Sequence, residues 1–174
     1  MEFNIRKAKP QDALGIAIVS VYTWKTAYSG LMPDAMLDGR IADIEKSVEM
    51  IRNDIIKHDN YIVAEIENTI VAFTAICSPC RNPEYSDSGE IGALYCLKGF
   101  SGRGIGKALF LTAVKELLAK GHKTMLIDCL KGNSALDFYQ HMGGRVVAEK
   151  EVQRVDHSRT EVLIFYDDIE KLIR

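Results

Sequence analysis

Between an apolar run and an amphipathic one, the segment Ser101-Gly102-Arg103-Gly104-Ile105-Gly106-Lys107 sets three glycines at alternate positions and adds two cations. No other stretch constrains the fold as tightly, because it predicts a strand, a curled turn and a helix start in direct succession. Glycine takes φ > 0 where a loop must curl, and its bare backbone lets a bulky anion come close. A helix opening leaves several N–H groups without intrahelical partners and carries partial positive charge, so it attracts a phosphate. The expected ligand is a molecule bearing a diphosphate.

Two familiar phosphate loops fail on spacing. A P-loop needs a glycine five residues before its Gly-Lys and a Ser/Thr straight after; those positions are Ser101 and Ala108. The dinucleotide fingerprint G-x-G-x-x-G would need its third glycine at Lys107 or Leu109. What remains, G-x-G-x-G-K at the mouth of a helix, resembles the acetyl-coenzyme A loop of the GCN5-related N-acetyltransferases. That family's loop reads Gln/Arg-x-x-Gly-x-Gly/Ala, and Gly104 and Gly106 match it. Ser101 stands where Gln/Arg is usual. Its hydroxyl can reach a phosphate but cannot supply the longer contact, which implies weaker cofactor affinity with the site retained.

A second segment carries the same resemblance. Asn133-Ser134-Ala135-Leu136-Asp137-Phe138-Tyr139-Gln140-His141-Met142-Gly143-Gly144 is similar to the family's N-x-x-A-x-x-F-Y-x-x-x-G wording after its fifth strand, with Ala135 one residue early. Glu90–Leu97 looks like its fourth strand. The likeness spans roughly residues 60 to 150. Trp24-Lys25-Thr26-Ala27-Tyr28-Ser29-Gly30-Leu31-Met32-Pro33 is more loosely similar to members acting on small molecules or polyamines.

Periodicity orders the rest. Phe3–Ala8 alternates as a strand, and Lys9-Pro10-Gln11-Asp12 opens a helix to about Tyr28, with Leu14, Ile18, Val21 and Tyr22 on one face. Pro33 starts a short helical turn, and a long helix covers about 41–57 with Ile44, Val48, Ile51 and Ile55 on one side. Tyr61–Ile66 and Ile70–Ile76 are β-branched runs around Glu67-Asn68-Thr69, a hairpin. A Pro-, Asn- and Asp-rich loop covers 78–89. Strand 90–97, helix 104–119, strand 124–129, a short helix capped by Asn133-Ser134, and strands 145–152 and 160–166 follow. The expected fold is α/β: a single domain, residues 1–174, with a mixed, twisted β-sheet flanked by helices. The order is strand, two helices, three strands, helix, strand, helix, two strands, and the resemblance implies a splay near the fourth and fifth strands.

The 174 residues, 47% of them hydrophobic, suffice for one core. A net charge of −2 with scattered basic residues argues against a nucleic-acid surface. Met1–Pro10 reads as a strand instead of a signal peptide, and no apolar run approaches the ~20 residues needed to cross a bilayer. A soluble, cytoplasmic protein without membrane attachment is the expectation. Cys77-Ser78-Pro79-Cys80 is a lone C-x-x-C, and Cys96, Cys129 and the four histidines supply no second ligand pair at zinc spacing. No metal is expected.

The resemblance implies direct acetyl transfer from acetyl-CoA to a primary amine, each residue with a blander alternative. The amides of Gly102, Arg103, Gly104, Ile105, Gly106 and Lys107 would hold the pyrophosphate, helped by Ser101. Leu94, Tyr95 and Cys96 would offer main-chain groups to the pantetheine arm, with Cys96 otherwise a small buried thiol. Tyr139, with an ordinary pKa of about 10, would protonate the leaving thiolate; packing is its alternative. Asn133 would cap a helix, contact the cofactor, or both. Glu90 is the candidate base, with a carboxyl raised by partial burial, or else a solvent-facing strand-end carboxylate. Trp24 and Tyr28 would wall the acceptor pocket or simply pack inward. The acids Asp34, Asp38, Asp43, Glu45, Glu49, Asp54 and Asp59 would favour a polyamine if they line one groove, and otherwise form solvated helix faces. A small amine, polyamine or amino-acid-like molecule is the expected acceptor; a protein or peptide acceptor and a non-catalytic acyl-CoA-binding module are the alternatives. Exposed strands near the C-terminus leave a homodimer open.

Overall fold

The computed structural model describes residues 2–153 and 158–174; Met1 of the expected first strand and His157 of the histidine set lie outside the described residues. Strand β1 (Asn4–Lys7) leads through a 3-10 turn into helices α1 (Ala13–Ala27), α2 (Asp34–Ala42) and α3 (Ile44–His58). Strands β2 (Tyr61–Ile66), β3 (Thr69–Cys77) and β4 (Gly89–Cys96) follow, then α4 (Ile105–Ala119), β5 (Met125–Leu130), α5 (Ala135–His141), β6 (Arg145–Gln153) and β7 (Ser158–Tyr166). The seven strands form a mixed sheet in the order β1-β2-β3-β4-β5-β7-β6. The registered pairs of β4 with β5 run parallel and number two, Gly89↔Met125 and Glu90↔Leu126.

The chain divides into two compact units. The first comprises Met1–Ile76 with Ala93–Ala113, the second Cys77–Gly92 with Val114–Arg174. In the first, β1, β2 and β3 pair antiparallel, and the hairpin turn places Glu67 and Asn68 at φ 49° and 63°. Its core gathers Ile16, Ala17 and Val19 of α1, Ile51 and Ile55 of α3, and Val63 and Phe73 of the sheet. Each large apolar side chain so buried contributes roughly 1.5–3 kcal/mol. In the second, β5 and β6 flank β7 antiparallel, and Cys80, Leu126 and Leu163 form a cluster with Tyr85, Val147 and Phe165 packed against it.

Two expectations need correction. Three helices, not two, precede the hairpin: Pro33 begins a nine-residue helix, and the long helix starts only at Ile44, after Asp43 breaks the run. Nor is the inward face of α1 the one marked by its larger apolar residues. Leu14, Ile18 and Tyr22 are 54%, 37% and 58% exposed, whereas Ala13, Ile16, Ala17, Val19 and Val21 are buried. This helix is apolar nearly all round, so close approach decides its orientation. Ala13 and Ala17 face inward together with Ile16 and Val19, and a Cβ on Gly15 would already stand 3.0 Å from Ile70.

Candidate active site

In the first unit, β4 runs out into a single 3-10 turn in which the Phe100 amide donates to the Leu97 carbonyl at 2.8 Å. Gly102 and Gly104 then adopt φ of +76° and +82°, a conformation that strains other L-residues. A Cβ at either position would meet nothing within 4 Å, so this backbone is bare as well as curled. The buried Ile105 anchors the start of α4, and the Ala108 amide reaches back to the Gly104 carbonyl at 3.0 Å. Amides ahead of Ala108 lack intrahelical acceptors by helical geometry. Arg103 and Lys107 are exposed, Arg103 lying 5.7 Å from the Phe100 ring. Such a bend fits a pyrophosphate: open main chain, a helix start and two cations.

The Ser101 hydroxyl hydrogen-bonds the Cys96 thiol, whose pKa is raised by burial and partly lowered by that contact. Leu94, Tyr95 and Cys96 are half-buried. The Cys96 carbonyl accepts a long bond, 3.5 Å, from Thr23 Oγ1.

Trp24 and Tyr28 come together with Tyr95. The two α1 rings meet edge to face at 4.6 Å, and Trp24 Nε1 donates to the Tyr95 hydroxyl at 3.1 Å. A residue that sequence reasoning missed completes the cluster: the Arg40 guanidinium, from the last turn of α2, lies 3.9 Å over the Trp24 ring. Nothing in the sequence distinguishes Arg40 from an ordinary base at a helix end.

The second unit holds the other candidates. Glu90 is 2% exposed. Its carboxylate accepts from the Arg81 backbone amide at 2.9 Å and from Arg81 Nε at 3.0 Å, forms an ion pair with Arg81 Nη2, and takes the Cys80 thiol at 3.6 Å. The expected raised carboxyl is therefore overturned, and so is its solvent-facing alternative. Burial alone would raise Glu90, but the Arg81 bonds and charge outweigh it and hold the carboxyl below the usual range. Gly92 makes room for this arrangement, since a Cβ there would stand 3.0 Å from Arg81 Nη2 and 3.2 Å from Cys77 Sγ.

The raised carboxyl is Asp128 on β5, pushed up to about 6 by desolvation first and by the charges of Glu90 and Glu161 next. Its side chain reaches the surface, so the packed protein around its base, and not full enclosure, causes the shift. One charged residue inside the apolar strand Met125-Leu126-Ile127-Asp128-Cys129-Leu130 was the available signal, and sequence reasoning passed over it.

Asn133 caps α5, its Oδ1 accepting from the Ala135 amide at 2.9 Å. Tyr139 is buried in α5, edge to face with Phe138 at 5.4 Å, and its carbonyl accepts the Tyr166 hydroxyl at 2.8 Å. Cys80 is buried with its thiol pushed up to about 11. Among the described residues, no group of three or more His, Cys, Asp or Glu side chains could hold a metal ion, and no helix is long and apolar enough to cross a membrane.

Comparison with known proteins identifies the family and the fold. The sequence model of the acetyltransferase (GNAT) domain matches residues 57–143. The chain is 27% identical over 169 residues to the uncharacterized N-acetyltransferase YuaI of Bacillus subtilis, covering 97% of this chain and 95% of that one. Its fold is similar to that of the PaiA N-acetyltransferase of Thermoplasma acidophilum in complex with coenzyme A, at a TM-score of 0.75 and 23% identity over 95% of this chain and all of the other. It is also similar to YncA, a putative acetyltransferase of Salmonella typhimurium solved with acetyl-CoA, at a TM-score of 0.69 and 16% identity over 94% and 92% of the two chains.

Proposed function

This chain belongs to the GNAT family of acetyl-CoA-dependent N-acetyltransferases, and on that premise we propose that it acetylates the primary amine of a small molecule. The observation that carries the small-molecule reading is the close-packed cluster of Trp24, Tyr28 and Tyr95, which suits a compact acceptor better than a peptide lying in an open groove.

Acetyl-CoA supplies the activated acetyl group as a thioester. The chain's own residues do the rest. Main-chain amides of 102–107 and the cations Arg103 and Lys107 hold the diphosphate, and the main chain at Leu94, Tyr95 and Cys96 aligns the arm that follows. Asn133 holds the start of α5 and thereby the position of Tyr139. The Tyr139 phenol returns a proton to the sulfur as the thiolate leaves. An acceptor ammonium has an ordinary pKa near 10 and must lose a proton before it attacks. Glu90 is poorly suited to take that proton directly, because Arg81 stabilises its ionised form. Asp128, exposed and raised to about 6, is better matched in acidity to that task, and Glu90 contributes by raising it.

Coenzyme A release should be measured with a panel of amines and, in parallel, with peptides. Tyr139→Phe is expected to lower turnover by about 10²- to 10⁴-fold while calorimetric acetyl-CoA binding stays unchanged. Undiminished turnover removes the acid role. Tight cofactor binding without acetylation of any amine or peptide favours the binding-module alternative, which Ser101 keeps open.

A further inference from the structure

Among the described residues, Arg40 is a cation without an anion. Its Nε is buried and has no hydrogen-bond partner, and its Nη2 makes only a long contact, 3.4 Å, to Ser20 Oγ. Among the described residues no ion pair involves Arg40, and the acidic groups whose charge reaches it are two phenols, Tyr95 and Tyr28. Burial pushes its pKa down, yet an arginine keeps its proton at neutral pH. The charge is present and unneutralised.

Two of the acids nearby in the chain are already occupied. Asp38 pairs with Lys25 at 2.9 Å and Asp43 with Lys46 at 2.6 Å. The expectation of a free acidic lining for a polyamine thus loses two of its members, while the aromatic cluster of this unit carries positive charge. A half-buried guanidinium beside Trp24 and two phenols matches the ordinary recognition of a carboxylate, in which Arg N–H groups give charge-assisted hydrogen bonds and aromatic rings pack the apolar part of the ligand. Tyr95 links the cluster to β4, the strand that runs into the glycine loop.

We propose that Arg40 receives a carboxylate of the acceptor, making the acceptor an amino-acid-like molecule that carries both a primary amine and a carboxylate, with its side chain against Trp24 and Tyr28. This inference rests on the acetyl-transfer reading above and narrows its substrate class.

Trp24 is the single tryptophan of the chain, so its emission reports directly on the cluster. The full chain, with coenzyme A present, should be titrated with L-methionine, L-phenylalanine and L-glutamate, with their carboxamides, and with spermidine, while coenzyme A release from acetyl-CoA is followed separately. At least one amino acid should bind at least tenfold more tightly than its own carboxamide. Arg40→Met should reduce that ratio to about twofold or less, and Arg40→Lys should retain part of it, with acetyl-CoA affinity unchanged in both. Equal binding of each acid and its amide, tighter binding of spermidine than of any amino acid, or no emission change with any ligand overturns the proposal. If Arg40→Met fails to fold, the acid-to-amide ratio in the wild type and in Arg40→Lys decides it. Acid-selective binding without coenzyme A release would instead count against the transferase reading and leave the carboxylate site standing, whereas release with spermidine alone would do the reverse.

Discussion

Each unit of this protein contains an arginine held against its own protein surroundings, and the two are treated differently. Arg81, in the second unit, meets a buried carboxylate through backbone and side chain together; Glu90 accepts from its amide, its Nε and its Nη2. Arg40, in the first, meets the face of Trp24 and one distant hydroxyl. An ion pair whose carboxylate is buried is an internal fixture even with its arginine largely exposed, because removing the cation strands the acid. A cation held over a ring has gained little and keeps its charge for something that arrives later. The difference separates a residue that shapes the protein from one that reads a ligand, although both are arginines beside a strand or helix end.

Breaking Arg81 should have the largest effect. Arg81→Met leaves Glu90 buried and unpaired, and about 3 kcal/mol of stability should be lost at pH 7, read by chemical denaturation. A loss under about 1 kcal/mol would place this pair with ordinary surface bridges and erase the contrast.

Next come opposite slopes with pH. The folded-state pKa of Glu90 lies below its ordinary value, so the stability it contributes is present above the unfolded carboxylate range and is lost as pH falls below about 4.5. Asp128 is raised to about 6. Its neutral form is favoured in the fold, so its contribution is present in acid and is lost as pH climbs from about 4 to 6. Glu90→Gln should flatten the first slope and Asp128→Asn the second, the latter by well under 1 kcal/mol because the side chain is exposed to screening. The same Asp128→Asn variant should remove the acidic limb of the kcat/KM profile; a limb that survives unchanged excludes Asp128 as the base.

Arg40→Met should change stability little, by about 0.5–1 kcal/mol, the lower end of the range for a cation–π contact, measured as a shift in unfolding midpoint. A loss comparable to that of Arg81→Met would make Arg40 a second internal fixture.

What the sequence disclosed, and what it withheld, follows the range of the interactions involved. Strand Tyr61–Ile66 and the turn at Glu67-Asn68 were legible because β-branched runs and turn-forming residues act on their own backbone. The glycine bend was legible for the same reason. The inward face of α1 was not, since Leu14, Ile18 and Tyr22 have the right spacing and only the approach of Ile70 to Gly15 selects another face. The state of Glu90 was equally hidden. Its acidity is set by Arg81, nine residues away in a proline-containing loop whose course no periodicity foretells. Arg40 escaped notice because what marks it is a missing partner, and a sequence does not display partners.

The curl at Gly102 and Gly104 has a consequence for how this loop tolerates change. In the proposed role its hold on an anion is assembled from peptide groups, so replacements at Ser101, Arg103 and Lys107 should retune the strength of that hold without abolishing it. Substituting either of those two glycines misdirects the peptide planes themselves. A saturation scan of 101–104 and 107 should therefore return a permissive profile punctuated by two intolerant positions, and the unusual serine becomes one setting on a dial that the main chain has already fixed in place.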